Sequence, residues 1–510
     1  MPYIELAASV FTEQSLREAL VNNFATAEDL AGHRHIQYLF GYLRELGAGC
    51  LLTEAPYTDA DFLDDFTSYY ARCFAPFQST CRRIHFFRGT LALEAKPKII
   101  SGTLTLPEVE QLRSDYLGFV VARPLPQAVI GRTVLKPYDN DGGRRKYPCT
   151  KRYDVNLLGI ALSIHSLAFQ EQDSVLAACA TVALWSCFQK TASLFGTTTP
   201  TPSVITKASQ TIHLGRSLPS QGLNILEMCS AIRHIGLEPE VIDLENNPAV
   251  PLLSLLYGYL QLETPIVLAV RVPEGFHAIA LVGYSIRKDR IHQTEVPSSG
   301  AMSLQMAGLR IDKFYGHDDQ VGPFCKLTVK PGCADGPFVQ FEREGNLIQP
   351  FAAIVPLYNK IRLTFLDVQS WLNRLHSVIT IAIPPNISYY WDVGLCLSNN
   401  YKTWIRENPD ASPELKQEVL LAAYPRFIWR CALKIGPFDL LHVIFDATGI
   451  RRSFPVHSIS RWNEDLVQIV CHILSEPTSE AALKQILTIK FFELLKASVV
   501  SEKPMTLQIF

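Results

Sequence analysis

The apolar positions along this chain change period repeatedly, and each change marks an expected element. In residues 35–46 they recur at helical spacing until Gly47 and Gly49 interrupt them, which predicts a helix. Residues 50–57 (CLLTEAPY) read as a strand. Residues 59–74 (DADFLDDFTSYYARCF) read as an amphipathic helix with aspartates in its first turn, where the helix dipole favours them. Residues 82–89, 117–125 and 130–138 predict strands around a helix in 107–116. The first 155 residues are therefore expected to form an N-terminal α/β region.

Further along, 172–195 (QDSVLAACATVALWSCFQKTASLF) predicts a buried helix that Gly196 ends. A Thr/Pro/Ser-rich run, 196–210, is expected to be a surface loop. Asn224 with Glu227 three positions on makes a capping-box pattern for a helix that stops before Gly236. Residues 237–244 predict a strand, 251–260 a short helix, and 266–272, 277–286 and 309–317 three extended runs. That order suits a helical half feeding an antiparallel sheet. From 341 a C-terminal α/β region is expected. It has helices in 365–379 and 412–423, the latter opened by Ser412 and Pro413, and a strand pair in 426–436 and 439–450. The last fifty residues read as helical, and Asp446 at the end of its strand reads as a capped turn.

Composition removes several function classes. At 510 residues, 48% hydrophobic and 19% charged, the chain can build substantial cores, and a net charge of −2 offers no global field for nucleic acid or an anionic membrane. The basic run 144–152 (RRKYPCTKR) lacks interleaved aromatics and reads as a solvated loop. The start of the chain has no basic leader, and no window reaches the roughly eighteen apolar residues of a spanning helix. Twelve scattered cysteines, never paired as CxxC, fit reduced thiols of a cytoplasmic protein. No metal site and no cofactor are expected. His33 and His35 fall on opposite sides of a helix or on one side of a strand, with no thiol near.

One constellation carries chemistry. Cys179 falls in the first turn of its helix, where unpaired N–H groups and the dipole favour a thiolate, and Gln172 stands seven residues before it. His277 opens an apolar strand about a hundred residues later, and Asp318 and Asp319 close the next one. A thiol nucleophile needs an imidazole to move protons, a carboxylate to orient that imidazole and an amide donor for the oxyanion. Each residue also has a plainer reading, as core thiol, satisfied histidine or polar turn. Asp318 is preferred as orienter, because Asp319 leads into Gly322 and Pro323 and suits bonding its own backbone in a turn. Asp319 stays as the alternative acid.

With Gln172, Cys179, the HAIALVGY run from His277, and Asp318 or Asp319, the segment resembles papain-like cysteine peptidases. The resemblance is to the double-glycine leader peptidase domains of bacteriocin exporters and their free-standing relatives. Ala180 stands where that family usually has glycine, and the glutamine lies one position further upstream than usual. The resemblance implies an α+β chain with a central papain-like domain, residues 156–340, in which a helix-borne cysteine packs on an antiparallel sheet. It implies a bacterial enzyme hydrolysing an amide bond of a protein or peptide substrate through Cys179, His277 and Asp318, with Gln172 at the oxyanion. Deamidation or acyl transfer would use the same residues. A catalytically silent scaffold that binds protein is the alternative from another class. No nucleic-acid or membrane partner is expected.

Overall fold

The computed structural model describes residues 3–173, 178–209, 222–247, 250–273, 275–287, 304–332, 339–382, 388–450 and 456–462. It is a mixed α+β structure with several sheets, one of them closed into a six-stranded barrel. The chain divides into two compact units. The first holds Met1–Asn246, Glu263–Ile286 and Asp312–Leu357, and the second holds Asn247–Leu262, Arg287–Ile311 and Tyr358–Phe510. Boundaries expected at 155 and 340 do not separate these units, because hydrogen-bonded ladders run across both positions.

In the first unit, β1 (Glu5–Val10), β2 (Ala48–Tyr57), β3 (Cys81–Arg88), β4 (Tyr116–Ala122) and β5 (Ile130–Leu135) form an antiparallel sheet in sequence order. Two short segments follow. The strand β6 (Arg145–Lys146) and the hairpin of β7 (Lys151–Leu157) and β8 (Ile160–Ser166) contain four of the five basic residues of the basic run. The expected loop is corrected in part: Arg144 and residues 147–150 lie outside strands, and Arg145, Lys146, Lys151 and Arg152 lie in them. Lys146 pairs with Tyr284 in the barrel, and Gly283 permits the approach, since a Cβ there would stand 2.5 Å from the Lys146 carbonyl oxygen.

The barrel begins after β9 (Leu237–Asp243), which pairs along its outer edge. Its strands are β10 (Ile266–Val272), β11 (Gly275–Ile286), β12 (Ile311–Asp318), β13 (Gly322–Pro331), β14 (Val339–Arg343) and β15 (Asn346–Tyr358). Pairing of β10 with β15 closes the ring, with Val267 opposite Ile354 and Ala269 opposite Ala352. Strand β10 reads as a continuous apolar run because both its faces are covered, by the barrel interior and by the helix Cys179–Phe195. That helix is buried all round from Ala180 to Thr191, and Gly196 ends it in the left-handed conformation at φ +75°.

The Thr/Pro/Ser-rich run is also corrected. Pro202–Ser209 is a helix with Ile205 and Ala208 buried, because Asp64 accepts hydrogen bonds from the Thr201 and Ser203 hydroxyls and Asp65 accepts one from the Ser203 N–H. Its polarity is satisfied by protein instead of water. The Asn224 capping box with Glu227 forms as expected.

In the second unit, β16 (Tyr390–Leu397), β17 (Phe427–Ile435), β18 (Phe438–Asp446) and β19 (Val456–Arg461) make an antiparallel sheet. Helices Ser398–Glu407 and Pro413–Leu421 share a core on it that includes Tyr401, Ile405, Leu415, Val419 and Ile428. The apolar helix Leu252–Leu260 belongs to this unit, where Gly258 faces Phe365 and Trp429 and Tyr257 donates to Asp392 at 2.8 Å. Asp446 accepts from the Thr448 N–H and hydroxyl, a capped turn. The helix expected near the end of the chain lies outside the described residues. Among the described residues no helix is long and apolar enough to cross a membrane. All ten described cysteines are free thiols.

Candidate active site

Cys179 is the first residue of its helix, behind an extended Ala178, so its thiol sits where N–H groups lack intrahelical partners and the dipole is positive. The helix is held along its length by satisfied polar groups. Trp185 Nε1 donates to Asp61 at 3.1 Å, Ser186 to the Ala168 carbonyl at 2.9 Å, and Lys190 to Thr150 and Glu263 at 2.8 and 2.7 Å. Buried Val182, Leu184 and Phe188 contribute on the order of 2 kcal/mol each. A helix fixed this way places its first residue reproducibly.

Strand β11 faces this helix and carries His277, buried to 3% exposure. The imidazole donates Nε2–H to Asp318 Oδ1 at 2.8 Å, at the end of β12. Asp319 is further off, at 3.7 Å. The other ring nitrogen, Nδ1, has no hydrogen-bond partner of good geometry, yet the Cys179 side chain interacts with the ring strongly enough to raise its pKa.

Asp318 is fully buried and uses both oxygens. Oδ1 also accepts the Gln320 N–H at 3.0 Å, and Oδ2 accepts Arg343 Nη1 at 2.8 Å. The turn expected to be closed by Asp319 is therefore closed by Asp318, which both caps the turn and holds the imidazole. Burial works against the charged His277, but the bond to Asp318, the interaction with Cys179 and the charges of Asp318 and Asp319 outweigh it and lift the imidazole to about 10. Burial likewise opposes the Asp318 carboxylate, and His277 and Arg343 overcome it, holding the acid down at about 2. Burial, with the Asp318 charge adding to it, outweighs the nearby His277 and His35 and lifts Asp319 to about 7.

His317, beside them, is a satisfied core histidine. It donates Nε2–H to Leu167 at 2.9 Å and accepts the Phe324 N–H on Nδ1, and burial pushes its pKa down to about 3. Cys187, two turns along the helix, is fully buried with its thiol pushed up, so it is no nucleophile in this fold.

Cys179 opens onto a cavity of about 830 Å³ whose lining includes Gln172, Asp173, Glu171, His35, Asp319 and Tyr70. Gln172 therefore shares the space above the thiol, whereas Gln170 is buried and is not part of this lining. Gln172 and Asp173 are not helical, and the helix starts only at Cys179, later than the apolar run suggested.

Arg343 and Glu171 escaped the sequence reading, and His35 was named there without a role. Arg343 ends an alternating strand beyond the expected boundary at 340, and His35 and Glu171 meet at 3.1 Å beside the cavity. An arginine at a buried strand position was the available signal for the first. Among the described residues two groups offer three ligand atoms within 4.8 Å: His33, His35 and Glu171, and His277, Asp318 and Asp319. In the second group Asp318 is already committed to His277 and Arg343. In comparisons with known proteins, no family model, curated protein or solved structure matches the chain.

Proposed function

We propose that the chain is a papain-like cysteine hydrolase acting on an amide bond of a protein or peptide, with Cys179, His277 and Asp318 as its triad. The supporting observation is the position of His277, whose Nε2 is tied to a buried, arginine-backed Asp318 while its other edge is left to a thiol at a helix N-terminus. A buried helix laid on an antiparallel barrel is also the arrangement that the papain-like reading requires.

In this reading the proton of the Cys179 thiol resides on His277, giving a thiolate–imidazolium pair. The thiolate attacks the carbonyl carbon, and the oxyanion is met by the amide of Gln172 and by helix N–H groups. His277 returns its proton to the leaving amine as the C–N bond breaks, leaving a thioester. Water, deprotonated by His277, then attacks the thioester, and Cys179 leaves as thiolate. Deamidation follows the same steps with ammonia as leaving group, and acyl transfer substitutes an amine for water.

The test is incubation of the full chain with an unstructured protein mixture, followed by mass spectrometry for new termini and for glutamine or asparagine converted to acid. Products that Cys179→Ala fails to generate support the reading. A peptide aldehyde should also form a thiohemiacetal at Cys179. Absence of both product and adduct in the folded protein would leave a binding scaffold instead.

A further inference from the structure

We propose that His33, His35 and Glu171 form a metal site suited to Zn²⁺, beside the cavity and separate from the triad. In a continuous helix His33 and His35 would diverge, which is why the HRH spacing argued against a site. His33, however, is the N-cap of the helix Arg34–Glu45 and has extended backbone, φ −73° and ψ 113°. That break in phase turns both rings to the same carboxylate. Glu171 Oε1 lies 3.4 Å from His33 Nε2 and 3.1 Å from His35 Nδ1, and the Gln127 carbonyl oxygen lies 3.0 Å from His33 Nε2. In a tetrahedral shell with Zn–ligand bonds of about 2.0–2.1 Å, neighbouring ligand atoms stand about 3.3 Å apart. Three of the six spans among these four atoms are therefore already close to this value, and the two imidazole nitrogens and the carboxylate oxygen all lie within 4.8 Å of one another.

The protons point the same way. A neutral imidazole has a single N–H, but both nitrogens of His35 face acceptors, Nδ1 the Glu171 carboxylate and Nε2 the Asp319 carbonyl at 2.5 Å. The contacts on both nitrogens hold the ring in one orientation. With Nε2–H given to the Asp319 carbonyl, Nδ1 is the nitrogen with a lone pair for metal, the outer-sphere arrangement usual for a ligating histidine. Glu171 is fixed as well. Its Oε2 accepts the Ile130 N–H at 3.1 Å and its carbonyl accepts Arg123 Nη2 at 2.9 Å. Two imidazoles and one carboxylate suit zinc, and they are too few oxygens for calcium or magnesium.

The site lies next to the reaction centre through the chain. Glu171 precedes Gln172, and His35 holds the carbonyl of Asp319, the neighbour of Asp318. An occupied site would fix both segments at once. It does not depend on the assignment of Cys179 as nucleophile.

The test uses the full chain carrying Cys179→Ala, to remove the active-site thiol as a competing ligand, titrated with Co²⁺ and then Zn²⁺. The expected result is one equivalent with d–d absorption of nitrogen and oxygen ligands, no thiolate charge-transfer band, and a rise in Tm with Zn²⁺. Adding His33→Asn should weaken binding by about 100-fold or more. Asparagine is a favoured N-cap, so that variant should fold, which circular dichroism and Tm verify. Glu171→Gln should weaken binding similarly. No metal uptake at micromolar concentration, a thiolate band, or affinity unchanged by His33→Asn would overturn the site.

Discussion

His277 and Asp318 share a 2.8 Å hydrogen bond in which the carboxylate is held from its far side by Arg343. The His277 charge is supported chiefly by Asp318, and the Asp318 charge by His277 and Arg343 together. The pairing fixes which ring nitrogen faces Cys179, and it sets the expected consequences of substitution around it.

Cys179→Ala should abolish turnover and leave folding nearly intact. A half-buried helix-start residue with no packing role loses little, and stability should fall by roughly 1 kcal/mol or less. Thermal unfolding beside a turnover assay checks this. Retained turnover would require another nucleophile, and Cys187 is too deeply buried to serve.

Asp318→Asn should cost orders of magnitude in rate, because an amide can hold the ring by the wrong tautomer. It should also destabilise the fold by about 3 kcal/mol or more, since Arg343 is 3% exposed and loses a buried counter-charge. Asp319→Asn, at 3.7 Å from the ring, should cost far less in rate. A reversed order of the two rate losses would reassign the orienting acid.

The pH profile has a definite sign. The active form needs His277 protonated, so activity should persist through neutrality and fall as pH rises through about 10. In Asp318→Asn the chief support of the imidazolium is gone and the alkaline limb should move to lower pH. The pair's contribution to stability follows the same rules. The His277 part is complete below its unfolded pKa of about 6.5 and is lost as pH rises through about 10. The Asp318 part is complete above about 3.9 and is lost as pH falls through about 2. An alkaline limb that Asp318→Asn leaves in place would count against the coupling.

Gln172→Ala should lower kcat by about 100-fold with little change in KM, the loss expected of one oxyanion donor. Gln170→Ala should change stability but not the transition state, because Gln170 is buried away from the cavity lining. Steady-state kinetics on both variants separate the two registers.

What was legible in the sequence was local. The Asn224–Glu227 box, the Ser412–Pro413 start, the Gly196 stop and the strand-end positions of His277 and Asp318 each depend on residues within a few positions. What was hidden was long-range. Closure of β10 on β15, the pairing of Lys146 with Tyr284, and the reach of Arg343 to Asp318 depend on contacts that periodicity cannot encode. The Thr/Pro/Ser-rich run misled because Asp64 and Asp65, well over a hundred residues earlier, supply the acceptors that water would otherwise provide. The approach of His33 and His35 to one carboxylate was hidden for a geometric reason, since His33 is the extended N-cap of the helix that carries His35.

The most direct test of the Cys179–His277 pair is competition between two thiols of one cavity. Cys73 and Cys179 are both half-buried and both line it, but the His277 ring interacts with Cys179. Under a limiting dose of iodoacetamide near neutral pH, with mass spectrometry of the labelled sites, Cys179 should react far faster than Cys73, and His277→Gln should remove that preference. Equal labelling of the two cysteines, or a preference for Cys179 that survives His277→Gln, would contradict a thiolate held by His277.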